Sequence, residues 1–208
     1  MPIDIPPAPT QSIEALRSAF PSLINRPALT KIAPRLAAAL ANPSAATSLT
    51  PILSYRVYTL GLSDLASGES NGLRAAKPAG WRHTLSSNGE VITVDVSSDQ
   101  SGSNHKFAAL SSNPSAAQVQ DEIQALNRDR GIAHASYEFS LLQIPAMAVK
   151  AIWLHDPSGK SSDILIPVAP VRRELIARRK YQVAEFIDAL RDSAARILSA
   201  DGPGKGST

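Results

Sequence analysis

The chain has 208 residues, 43% of them hydrophobic, a formal net charge of only +3, and no cysteine. That length buries a real core within one domain, and the missing cysteine excludes disulfides, thiolate metal sites and cysteine nucleophiles together. No run reaches the roughly 18 apolar residues of a membrane helix, and so small a net charge argues against nucleic acid unless the positive residues are concentrated. The start, MPIDIPPAPT, has no basic segment followed by an apolar one, so no Sec-type signal is expected. A cytoplasmic location follows as the expectation, with export by a route that reads no N-terminal signal left open. Arginine outnumbers lysine two to one and alanine is abundant, as in proteins of GC-rich bacteria.

In chain order, the proline-rich residues 1–9 read as flexible or extended. Ile13, Leu16 and Phe20 then share a helical face behind Thr10 as cap, and Pro21 is expected to stop that helix. A second helical segment over Thr30–Ala41 repeats Ile32, Leu36 and Leu40, with Pro34 starting or kinking it. Residues 10–42 thus form a helical arm, packed on the rest or offered to a partner.

Tyr55–Leu60 has the aromatic and β-branched content of a strand. Gly61–Gly80 carries four glycines and reads as mostly loop. Trp81–Ser86 and Glu90–Ser97 read as a hairpin around Asn88-Gly89, whose residues accept the positive φ of a tight turn. His105–Leu110 is a short strand. Asn113-Pro114 opens a helix over residues 114–128 with Val119, Ile123 and Leu126 as its apolar stripe.

Tyr137–Val168 is the longest core-like run. Tyr137, Phe139 and Leu141 alternate with Glu138, Ser140 and Leu142 at the strand period of two, and Pro145 is expected to break that strand or sit at a bulge. The strand after it is apolar on nearly both faces (Val149, Ala151 and Trp153 against Ile152 and Leu154), as a central strand is. Asp156-Pro157-Ser158-Gly159 is a turn, and Asp163–Val168 a further strand. Gly159-Lys160-Ser161 matches the end of a phosphate-binding loop. That motif requires a glycine where Leu154 stands and a helix directly afterwards, so a hairpin turn is the better reading. Gln182–Ala200 is a long amphipathic helix, with Asp188–Arg191 and Asp192–Arg196 spaced for ion pairs. Residues 201–208 read as a disordered tail.

The expected fold is one α+β domain over residues 10–200, with no internal repeat. Its mostly antiparallel sheet, of about six or seven strands within residues 53–170, is covered on one face by the mid-chain helix and the C-terminal helical region, residues 171–200.

Two patterns are candidates for a site. Trp81-Arg82-His83 and Trp153-Leu154-His155 each place a tryptophan and a histidine on one face of a strand. If those strands were neighbours, Trp81, His83, Trp153 and His155 would converge, with Asp156 or Asp163 orienting an imidazole or completing a metal site. Core tryptophans and a polar edge histidine explain the same residues. Arg172, Arg173, Arg178, Arg179 and Lys180 form a basic segment that, as a helix, would gather Arg172, Arg179 and Arg173 near one face for an anionic partner.

No catalytic residue, metal site or cofactor is assigned. There is no Gly-x-Ser-x-Gly elbow, His-Glu-x-x-His pair or glycine-rich dinucleotide motif, and Asp121 and Glu122 are adjacent on a helix and face apart. The reading is a non-enzymatic binding or adaptor protein recognising another protein through its N-terminal helices or an exposed sheet, with a homodimer as one form. The alternatives are a hydrolase or small-ligand domain using the Trp/His set, and nucleic-acid association through the basic segment, for which an acidic protein surface is the stronger candidate.

Overall fold

A computed structural model of the chain describes residues 3–24, 31, 34, 37–38, 50–67, 72–87, 90–111, 114–132 and 135–200. The elements are β1 (Ile3–Asp4), α1 (Thr10–Ile24), β2 (Leu53–Thr59), α2 (Leu62–Ser67), β3 (Lys77–Ser87), β4 (Glu90–Ser97), β5 (Lys106–Ser111), α3 (Pro114–Asn127), β6 (Tyr137–Ile144), β7 (Val149–His155), β8 (Ile164–Pro167), β9 (Tyr181–Gln182) and α4 (Val183–Ala200).

The strands make one mixed sheet in the order β5-β4-β3-β2-β6-β7-β8-β9, with β1 also pairing β6. It is two consecutive antiparallel meanders, β2 to β5 and β6 to β9, set side by side. They meet where β2 and β6 run parallel, with Arg56 opposite Ser140 and Val57 opposite Leu141. A parallel pair cannot be joined by a tight turn, and α3 lies in the connection from β5 back to β6. The nine strands among the described residues exceed the six or seven expected, because Ile3–Asp4 and Tyr181–Gln182 are too short to show a period.

Apolar clusters lie on both sides of the sheet, so it is covered on both faces and not on one. On the back face, Tyr55, Val57, Phe139, Leu141, Ile152 and Ile166 pack against Val119, Ile123 and Leu126 of α3. The front face is shared. Leu16 and Phe20 of α1 cover Leu85, Ile92, Val94 and Val96 at the β3–β4 end. Phe186, Ile187, Leu190 and Ala194 of α4 cover Leu142, Ala151 and Leu165 at the other. Each such large apolar side chain removed from water contributes about 1.5–3 kcal/mol as an upper bound.

Several expectations change. Ile3, in the segment read as flexible or extended, takes the extended form, pairs with Tyr137 and is buried. Helix α1 runs through Pro21 to Ile24; a proline near a helix C-terminus forfeits one hydrogen bond, which the buried Leu16 and Phe20 offset. Its first turn hangs from the Pro9 carbonyl, which accepts from the Ser12 and Ile13 amides at 3.0 and 3.3 Å. The stretch Gly61–Gly80 is not mostly loop: it holds α2, a 3-10 turn at Gly72–Ala75 and the start of β3. Buried Leu65 and Leu73 dock these turns under α4. Gly80 itself is obligatory, because at φ 141° a Cβ would lie 2.0 Å from the Val96 carbonyl oxygen. Residues 171–180 form turns and not a helix.

Pro145 breaks the strand as expected, in a 3-10 turn closed by left-handed Ala148. Most of the second N-terminal helix, the Asn88-Gly89 turn, the Asn113 cap, His134 and the tail lie outside the described residues. Lys31, Pro34, Ala37 and Ala38 of that segment are helical, and Ala37 packs with the α1 cluster. Ser87 pairs with Glu90, so β3 and β4 are in hairpin register.

Candidate functional site

The two Trp/His pairs point to the same face and lie in the same two rows of it. Val96, Trp81, Arg56, Ser140, Trp153 and Leu165 stand directly opposite one another, strand by strand, across the front face. The pairs do not converge: β2 and β6 separate β3 from β7, which is three strand spacings or about 14 Å. The single cluster expected of them is therefore absent, because side-chain period sets the face of a residue and not the identity of its neighbour.

Each histidine instead has local partners. His83 is 0% exposed beneath α1, and its Nε2 and Nδ1 lie 2.8 Å from the Ser12 and Ser54 hydroxyls. Burial, as the main cause, lowers its pKa to about 4. A ring with both nitrogens engaged and no route to solvent has no base to offer a substrate. His155, with its side chain 46% exposed, meets Asp163 at 3.0 Å through Nδ1, and the same carboxylate accepts the Trp153 indole N–H at 2.8 Å. Of the two carboxylates expected to orient an imidazole, Asp163 does so. Asp156 instead accepts from the Ser158 and Ser161 amides and the Ser158 hydroxyl, which hold the turn and keep its pKa near 2. Gly159 closes that turn at φ 66°, and a strand follows it.

In the row beside the tryptophans, Asp4 stands opposite Glu138 and Glu138 opposite His155. Among the described residues, no three histidine or carboxylate side chains come close enough to hold a metal ion.

What the front face presents between α1 and α4 is cationic and aromatic. Arg56 is exposed at the seam, its guanidinium carbon 5.5 Å from the centre of the Trp81 ring. Among the described residues no carboxylate pairs with it. On the other side Tyr58 meets Trp153 edge-on at 5.1 Å between ring centres. A cavity of about 200 Å³ opens beside Arg56, walled by Pro9, Tyr58, Pro78 and Trp81. Sequence reading missed Arg56 and Tyr58. Their signal was present: in Tyr55–Leu60 they occupy the alternate positions facing away from Tyr55 and Val57.

The back face carries its own polar pair. Arg82 donates to both carboxylate oxygens of Asp95 at 2.6 and 2.8 Å, and the Tyr55 hydroxyl beside it is pushed up to about 12 by burial. With the Arg82 side chain only 10% exposed and its fork matched by Asp95, this pair reads as scaffold.

The basic segment is dispersed. Arg178 pairs with Glu122 of α3 at 3.2 Å, Arg179 pairs with Glu185 and stacks on Tyr181, and Lys180 pairs with Asp129. Arg172 and Arg173 turn the other way, toward Glu174 and α4. No family model, curated protein or solved structure matches the chain.

Proposed function

We propose that this chain is a non-enzymatic binding protein that recognises another protein through the front face of its sheet between α1 and α4. The supporting observation is Arg56, an exposed guanidinium on the face of Trp81 with no carboxylate partner among the described residues. Tryptophan, tyrosine and arginine carry most of the energy of protein interfaces, because each buries a large area while keeping a directed polar group. The cavity beside Arg56 takes one side chain of a partner, and charge complementarity makes that side chain acidic. The partner is therefore an extended acidic segment of another protein. On this reading the protein works in a bacterial cytoplasm, in keeping with its lack of cysteine.

The hydrolase alternative is not favoured, since it needs the two histidines together. Nor is nucleic-acid association, since Arg178, Arg179 and Lys180 are each matched by an acid.

The chain has only two tryptophans, and both stand in this row, so its intrinsic fluorescence reports occupancy. Titration with a panel of extended peptides, each acidic sequence paired with its Glu→Gln counterpart, should show saturable changes for acidic members only. Arg56→Ala should weaken them about tenfold or more, the scale of a lost charge-assisted contact. Equal response to acidic and neutral peptides, or no effect of Arg56→Ala, sinks the proposal. A homodimer covering this face would appear as a concentration-dependent mass that Arg56→Ala reduces, and would replace the acidic segment as occupant.

A further inference from the structure

The ion pairs of residues 172–180 are unevenly matched. Arg178, Arg179 and Lys180 each have their own carboxylate, on α3, on α4 and just beyond the end of α3. Arg172 and Arg173 share Glu174, and a third arginine, Arg196 of α4, joins them through Ser193. Arg172 approaches Glu174 at 3.4 Å through Nε and again through Nη2, and Arg173 at 3.9 Å. The Ser193 hydroxyl donates to Glu174 at 2.6 Å, and Arg196 donates to the Ser193 oxygen at 2.9 Å. Asp192, one turn before Arg196 and expected to pair with it, is exposed and is not in this network. Two guanidinium groups therefore meet one carboxylate directly, and a third is linked to it through the Ser193 hydroxyl.

These side chains, with Ile197, line an open depression of about 470 Å³, the largest of the cavities described here. Its walls come from two elements: a turn supplies Arg172 and Arg173, and α4 supplies Ser193 and Arg196. Glu174 has one role that the geometry makes plain: it holds the Arg172 fork and the Ser193 hydroxyl in place. Arg173, with its side chain 82% exposed, and Arg196 are both exposed to solvent.

We propose that this depression binds a phosphoryl dianion, either as free phosphate or on a phosphorylated side chain. An excess of two positive charges matches a group that carries between about −1.5 and −2 at neutral pH. Arginine forks approaching from two directions suit a tetrahedral set of oxygens, whereas a planar carboxylate engages one fork. The site shares no lining residue with the Arg56 groove and does not rest on the function proposed above. Because it is open, salt screens it, and binding should weaken as ionic strength rises.

The test is a titration of the full chain with inorganic phosphate at pH 7.5 and constant ionic strength, followed by amide and arginine side-chain NMR shifts. Saturable shifts confined to residues 172–174 and 193–197 are expected. They should weaken about tenfold or more in the Arg172→Ala/Arg196→Ala double variant and be unchanged in Arg179→Ala. If the double variant does not fold, Arg173→Ala, at a side chain 82% exposed, should still weaken binding severalfold. A phosphoserine peptide and its unphosphorylated form distinguish the sources: tighter binding than inorganic phosphate points to a protein side chain, equal binding to the free ion. Shifts that do not saturate, shifts that chloride reproduces, or full binding by the arginine variants would overturn the site.

Discussion

Lowering the pH from 7.5 to 5.5 should cost the fold about 1.4 kcal/mol through His83 alone. In the native chain, burial holds the imidazole at about 4, against an ordinary 6.5; Asp95 opposes this shift and His105 adds to it. The unfolded chain takes up its proton near 6.5, so between 6.5 and 4 it binds more protons than the native one. The stability from a neutral His83 is therefore complete above about pH 6.5, falls as pH drops through 6.5, and has no more to lose below 4. At 1.36 kcal/mol per unit the full window amounts to about 3 kcal/mol, of which about 1.4 is spent by pH 5.5. Hydrogen bonds are not the cause: the Ser12 and Ser54 hydroxyls can turn to accept from either ring nitrogen. The cost is that of a charge with no water around it.

Asp99, Asp156 and Glu174 are held near 2, so the stability they contribute is lost only at lower pH, outside this window. Urea denaturation at pH 7.5, 6.5 and 5.5 measures the effect, with His83→Gln as a variant that keeps polar contacts but cannot titrate. The variant should be less stable at pH 7.5 and lose about 1.4 kcal/mol less than wild type on going to 5.5. If both proteins lose the same stability, the account of a buried, uncharged His83 is wrong.

Asp95→Ala would strand the nearly buried Arg82 guanidinium and should cost about 3–5 kcal/mol in chemical denaturation, whereas a loss below ~1 kcal/mol would mean the pair is solvated. Phe139→Ala removes a fully buried ring that meets Tyr55 edge-on at 5.3 Å, and a comparable cost of about 3–5 kcal/mol is expected from the cavity left. Asp163→Ala takes away the shared acceptor of Trp153 and His155; about 1–2 kcal/mol should be lost, with a shift in tryptophan emission that Trp153→Phe abolishes. Arg56→Ala touches an exposed side chain without an ion pair among the described residues, and melting should place its stability within about 0.5 kcal/mol of wild type.

Much of the framework was legible in the residues. The alternation in Tyr137–Leu142, the doubly apolar strand through Trp153, the turn at Asp156–Gly159 and the apolar stripe of α4 appear in the structure close to where their periods place them. So does Glu90–Ser97, residue for residue. These elements report themselves because side-chain period and turn chemistry are local: a strand of alternating residues and a helix repeating at three and four need no knowledge of the rest of the chain. The same locality explains the failures. Nothing in Leu53–Thr59 or Tyr137–Ile144 says that the two strands lie side by side and parallel, nor that Ile3 extends that seam. A run read as loop between Gly61 and Gly80 became a docked helix because α4 was there to bury Leu65 and Leu73.

For the site, the sequence by itself placed Trp81 with His83 and Trp153 with His155 on common strand faces, and gathered five cations into nine residues. Only the tertiary structure decided that 14 Å of sheet separates the two histidines. It also decided that Arg56 and Tyr58 stand in the space between the two tryptophans, and that each cation of the basic segment but Arg172 and Arg173 meets its own acid. Period assigns a side chain to a face, whereas the neighbours it meets there depend on strand order and on helices arriving from distant parts of the chain, and those follow from the burial of the whole sheet.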